Sequence, residues 1–148
     1  MKEAIDNFLA GRRLAVVGVS RDKNKFANLA YRELKKVGYQ VYPVSLTADE
    51  VVDDRCYPSL RVLPEPVDGL LVSVRPSQAE AVVRECASLG IQRVWLQQGS
   101  ESAEAIRFCR ENGISVVHNL CVLMFVPGVA FYHRWHGWFW KVFGKMPK

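Results

Sequence analysis

The residues best suited to chemistry fall in one stretch, Leu14-Ala-Val-Val-Gly-Val-Ser-Arg-Asp-Lys-Asn-Lys25, where an apolar run breaks at Gly18 into a polar, basic loop. Glycine at that point permits a sharp exit from a strand and a close approach of backbone to an anion. Ser20 offers a hydroxyl, and Arg21, Lys23 and Lys25 offer positive charge. Beyond them, Phe26, Leu29, Ala30, Leu34 and Val37 recur at the helical period, which predicts a helix over residues 26–37. The start of such a helix turns backbone N–H groups and the positive end of its dipole toward the loop, so a phosphate or pyrophosphate would be stabilised there. The competing reading is an ordinary strand-to-helix turn with solvated lysines.

A second constellation is His118 with Cys121. A thiol beside an imidazole can be an activated nucleophile, but the only orienting group nearby in sequence is Asn119. Cys121, His133 and His136 have mixed spacing for a metal, and no metal is expected. Cys56, Cys86 and Cys109 read as small buried apolar residues.

These groups need a scaffold. At 148 residues, with 49% hydrophobic and 24% charged residues, the chain suits one domain with a substantial core. The formal charge of +5 favours an anionic partner; its concentration at Arg12-Arg13, in the 21–25 loop and in the C-terminal segment suits a polyanionic small ligand, and no nucleic-acid-binding motif accompanies it. The polar N-terminus lacks the apolar stretch of a signal peptide. The run at 120–132 is too short to span a bilayer as a helix and is broken by Pro127-Gly128. A cytoplasmic location is therefore expected, without structural disulfides.

In order, the chain alternates helix and strand. A short entry helix covers residues 3–9, a strand 14–17, the helix 26–37, and a strand 39–44 after the stop signal Gly38. Residues 45–66 are mostly irregular, with Val51-Val52 read as an edge strand and Tyr57-Pro-Ser-Leu60 as a turn. A third main strand at 69–74 leads into a helix that Arg75-Pro76 begins and Gly90 stops. A fourth strand at 91–96 leads through Gln97-Gln-Gly-Ser100 into a helix at 101–112, whose first turn suits Glu101, Ser102 and Glu104. A fifth strand occupies 114–118. This pattern predicts a Rossmann-like three-layer α/β domain with a mostly parallel five-stranded sheet, its ligand outside the carboxyl ends of the strands. The predicted division is 1–121 for that domain and 122–148 for an aromatic, basic extension.

The dinucleotide fingerprint fails, because Ser20 and Lys23 stand at the second and third glycine positions. The second strand ends Pro43-Val44-Ser45 with no acid until Asp49, against the carboxylate an NAD site wants there. No phosphate-loop motif of the G-x-x-x-x-G-K-[ST] type occurs.

Gly18-Val-Ser20, Lys25-Phe-Ala-Asn28 and Gly38-Tyr-Gln-Val-Tyr-Pro-Val44 resemble the small stand-alone CoA-binding domain proteins, which are similar to the N-terminal domain of the succinyl-CoA synthetase alpha subunit. The resemblance continues through Cys56-Tyr-Pro-Ser-Leu60, Pro64-Glu-Pro-Val-Asp68, Arg75-Pro76, Trp95-Leu-Gln-Gln-Gly99 and Val116-Val-His-Asn-Leu-Cys121. It implies coenzyme A as ligand, with Gly18, Val19, Ser20, Arg21 and Lys25 at the phosphates. Pro43, Val44 and Ser45 would lie against the adenosine, and Ser73, Val74, Arg75, Gln98 and Gly99 along the pantetheine arm. The sequence departs from the family's usual pattern at Ala27, Ser45-Leu46 and Ser73-Val74. The expectation is a protein that binds CoA or an acyl-CoA, without a catalytic centre. Its rivals are thioester processing through Cys121 and sensing of NAD or another nucleotide. The segment Phe131-Tyr-His-Arg-Trp-His-Gly-Trp-Phe-Trp-Lys-Val-Phe143 gathers aromatic residues on one helical face, which would pack on its own sheet, close a homodimer, or meet a membrane or other partner.

Overall fold

The computed structural model describes residues 1–21, 25–45, 50–51 and 54–128. Lys23, Leu46, Asp49, Val52, His133, His136 and the aromatic segment lie outside the described residues, as do the expectations attached to them.

The elements are α1 (Lys2–Leu9), β1 (Arg13–Val17), α2 (Phe26–Lys36), β2 (Gln40–Val44), β3 (Glu50–Val51), β4 (Asp54–Arg55), β5 (Gly69–Val72), α3 (Pro76–Ser88), β6 (Arg93–Gln97), α4 (Ala103–Glu111) and β7 (Ser115–Leu120). Short 3₁₀ turns cover Leu60–Val62 and Val122–Met124. Five strands form one all-parallel sheet in the order β2-β1-β5-β6-β7. The expected α/β Rossmann-like fold is the fold observed. β5 carries four successive buried residues, as a strand covered on both faces must.

One face is covered by α1 and α2, whose Phe8, Ala30, Tyr31 and Leu34 pack with Leu14, Val16, Leu71 and Trp95. On the other face, Ala79, Val83 and Cys86 of α3 and Ala105 and Cys109 of α4 pack with Ala15, Leu70, Val94 and Leu96. Trp95 is fully buried, edge-on to Phe8 at a centroid distance of 5.3 Å, and its indole N–H donates to the Leu120 carbonyl at 3.0 Å. Val122, Leu123, Met124 and Val126, beyond the predicted boundary at residue 121, belong to the first of these cores.

Several boundaries differ from expectation for local reasons. β5 stops at Val72, and the Ser73 N–H on the Val17 carbonyl is the last bond of its ladder with β1. β7 runs on to Leu120 through a bulge: Trp95 faces Val117 but Gln97 faces Leu120. Asn119 in that bulge has φ +63°, a left-handed conformation asparagine tolerates. Of the expected Val51-Val52 edge strand, Val51 belongs instead to β3, which pairs antiparallel with β4 in a separate two-stranded sheet. The last helix begins at Ala103, after Ser102, whose hydroxyl accepts from the Ala105 N–H at 3.1 Å.

Candidate functional site

The strand order reverses between β1 and β5. From β1 the chain crosses to β2 on one side, then returns through β5 to continue on the other. In an open parallel sheet the crevice at that reversal receives the ligand. Two turns meet there, the one leaving β1 at Gly18 and the one leaving β5 at Ser73.

Gly18 has φ +118°, and a Cβ built on it would lie 1.9 Å from the Ser73 carbonyl oxygen. Only glycine allows these backbones to pass so closely. The Gly18 N–H meanwhile donates to the Val44 carbonyl of β2 at 3.1 Å. One residue thus gathers the ends of three strands.

Val19 then plunges into the core, 2% exposed, and Ser20 returns toward the surface. Ser20 is held by Asn28 of α2, which is itself 2% exposed. The Asn28 Oδ1 accepts from the Ser20 N–H at 2.9 Å, and its Nδ2 donates to the Ser20 carbonyl at 2.7 Å. This reciprocal pair fixes the loop to the first turn of the helix it precedes. Lys25 is the residue just before α2, with extended backbone and no side-chain cap. Both Arg21 and Lys25 are exposed. Sequence reasoning assigns Asn28 no role. Nothing in its local sequence marks that amide as buried.

The other expected residues occupy the carboxyl ends of neighbouring strands. Pro43, Val44 and Ser45 are buried at the end of β2. Ser73 and Val74 are half-buried, and the Val74 N–H donates at 3.0 Å to the hydroxyl of buried Ser100. Arg75 is exposed at the start of α3, where Pro76 takes the first helical position. Gln98 is half-buried and Gly99 exposed with φ +91°. The Gly99 N–H meets the Glu101 carboxylate at 3.1 and 3.2 Å, so Glu101 closes the β6 turn instead of opening the helix. Gln97, one residue earlier, is a buried peg whose Oε1 accepts from the Val122 N–H at 3.0 Å.

The His118–Cys121 pair is not a pair. Cys121 is 1% exposed in the core beneath α1 and α2, near the Gln97 amide, whereas His118 faces α4. Burial pushes the Cys121 thiol up to about 11, so at neutral pH it is overwhelmingly protonated, the reverse of an activated nucleophile. The His118 Nε2 lies 3.5 Å from the Arg110 guanidinium, and its Nδ1 is buried without a partner among the described residues. These two residues, with Ala103, Ile106, Arg107 and Glu111, line an open groove of about 470 Å³ between α4 and the edge strand. That groove lies at the opposite edge of the sheet from β2, away from the Gly18 turn. Among the described residues no group of three His, Cys, Asp or Glu side chains could hold a metal ion, and no helix is long and apolar enough to cross a membrane.

Comparison with known proteins identifies the family and agrees with the fold. The sequence pattern of the CoA binding domain family matches residues 12–127. The uncharacterized protein YneT of Bacillus subtilis is 30% identical over 111 residues, which cover 75% of this chain and 82% of that protein. The ADP-forming acetate–CoA ligase II of Archaeoglobus fulgidus is 28% identical over 117 residues, 71% of this chain but only 17% of the ligase. A hypothetical protein from Pyrococcus horikoshii superposes with a TM-score of 0.79 at 29% identity, covering 84% of this chain and 89% of that one.

Proposed function

The chain belongs to the CoA binding domain family, and on that premise we propose that it binds coenzyme A or an acyl-CoA, with the ligand's pyrophosphate at the turn between β1 and α2. The observation that carries this reading is Gly18, whose φ of +118° and missing Cβ let three strand ends converge beside the start of α2. The helix dipole and the exposed Arg21 and Lys25 favour an anion there. In this reading Val19 anchors the loop, Pro43, Val44 and Ser45 back the adenosine, and Ser73, Val74, Arg75, Gln98 and Gly99 follow the pantetheine arm. The assignment is binding and not turnover, since the one nucleophile considered, Cys121, is buried and protonated.

The test is titration calorimetry of ligand-free protein with CoA, acetyl-CoA, NAD and ATP at one salt concentration. CoA or its thioester should bind in preference to NAD. Lys25→Ala and Ser20→Ala should each weaken CoA binding by about 1.5–3 kcal/mol, the range for a charge-assisted hydrogen bond. Unchanged affinity in both variants would move the ligand elsewhere.

A further inference from the structure

In a sheet of this type the turn after the second strand meets the nucleoside end of a nucleotide, and the charge found there follows the ribose: a carboxylate for free hydroxyls, an arginine for a phosphorylated one. β2 ends in Pro43-Val44-Ser45 and brings no carboxylate to that place. It brings Tyr57 instead. The Tyr57 N–H donates to the Pro43 carbonyl and its own carbonyl accepts from the Ser45 N–H, both at 2.9 Å, so Tyr57 continues the sheet for one residue beside Val44.

This clamp carries Arg55, the last residue of β4, to the same edge. Its guanidinium lies 5.9 Å from the centre of the Tyr57 ring, which in turn meets Tyr42 edge-on at 6.0 Å. Arg55 is exposed, and among the residues whose side chains are described no carboxylate pairs with it. A guanidinium resting on an aromatic ring keeps its in-plane N–H fork available, the geometry that suits a bidentate phosphate contact.

We propose that Arg55, held over Tyr57, selects a ligand whose ribose carries a phosphate. Among adenosine-containing ligands this separates CoA, with its 3′-phosphate, from dephospho-CoA, NAD and ATP. The inference rests on the CoA reading above and names the residue that sets its specificity.

The experiment titrates the full chain and its Arg55→Gln and Arg55→Lys variants with CoA and with dephospho-CoA at one salt concentration. Wild type should prefer CoA by about tenfold or more, the scale of one lost charge-assisted contact. Arg55→Gln should abolish that preference while leaving dephospho-CoA affinity within about twofold, and Arg55→Lys should retain part of it. Lys25→Ala serves as the contrast, because it faces the pyrophosphate that both ligands carry and should weaken both alike. A preference that survives in Arg55→Gln, or an equal loss for both ligands, overturns the role of Arg55. Wild type that binds both ligands equally does the same while leaving the phosphate turn in place. Wild type that binds neither overturns the phosphate turn together with the inference.

Discussion

Asn28 illustrates how much a single side chain decides near the phosphate turn. Its amide satisfies both backbone groups of Ser20 from a position 2% exposed, so its removal strands a donor and an acceptor in a region nearly closed to water. Asn28→Ala should therefore cost about 1–3 kcal/mol of stability, read by urea unfolding, and should weaken CoA binding as the loop loses its register. Asn28→Asp sharpens the test. It keeps an acceptor for the Ser20 N–H but sets a negative charge beside the anion site, so its binding loss should exceed that of Asn28→Ala. Equal binding by wild type and both variants would mean that the loop is positioned without Asn28. The glycine next to this loop was legible from the sequence, since few residues leave a buried strand so abruptly. The partner holding the loop was not, because nothing local distinguishes a buried amide from a solvated one on a helix.

Between elements, Asp68 does the comparable work at the opposite end of the sheet. Its Oδ2 accepts from the Arg13 N–H at 2.9 Å and the Arg12 N–H at 2.8 Å, and its own N–H donates to the Arg13 carbonyl at 2.7 Å, which registers β1 against β5. The backbone N–H groups of Arg13 and Arg12 hold its carboxyl below the ordinary 3.8. A folded-state pKa below the unfolded one means that the stabilisation is complete above the unfolded value and is lost as pH falls through the folded one. The stability difference between wild type and Asp68→Ala should thus be full at pH 7 and shrink once the pH drops below 3.8. A difference independent of pH would assign the effect to packing instead of charge. Periodicity identified the helices and main strands, because each buries one face or both. It missed the β3–β4 hairpin and the Tyr57 bridge, which have too few residues to show a period.

Across the whole molecule, the two cores enclose all four cysteines, each buried and none in a disulfide. Burial pushes Cys86 up to about 12, and Cys109 and Cys121 up to about 11. Alkylation by iodoacetamide at pH 8 should be slow for the folded protein, with labelling that rises together with unfolding as urea is added. Rapid native labelling of Cys121 would reopen the thioester reading. By itself the sequence determined that strands and helices alternate, that the sheet is parallel and covered on both faces, and that a basic glycine turn follows the first strand. These follow from hydrophobic period and backbone freedom, which are local properties. Tertiary structure alone decided which residues meet. It split His118 from Cys121, because the chain places one against α4 and the other in the core beneath α1 and α2, on opposite faces of the sheet. It also brought Arg55 and Tyr57 to the end of β2, because a contact across the dozen residues between Val44 and Tyr57 is set by how the chain folds back and by no pattern within either segment.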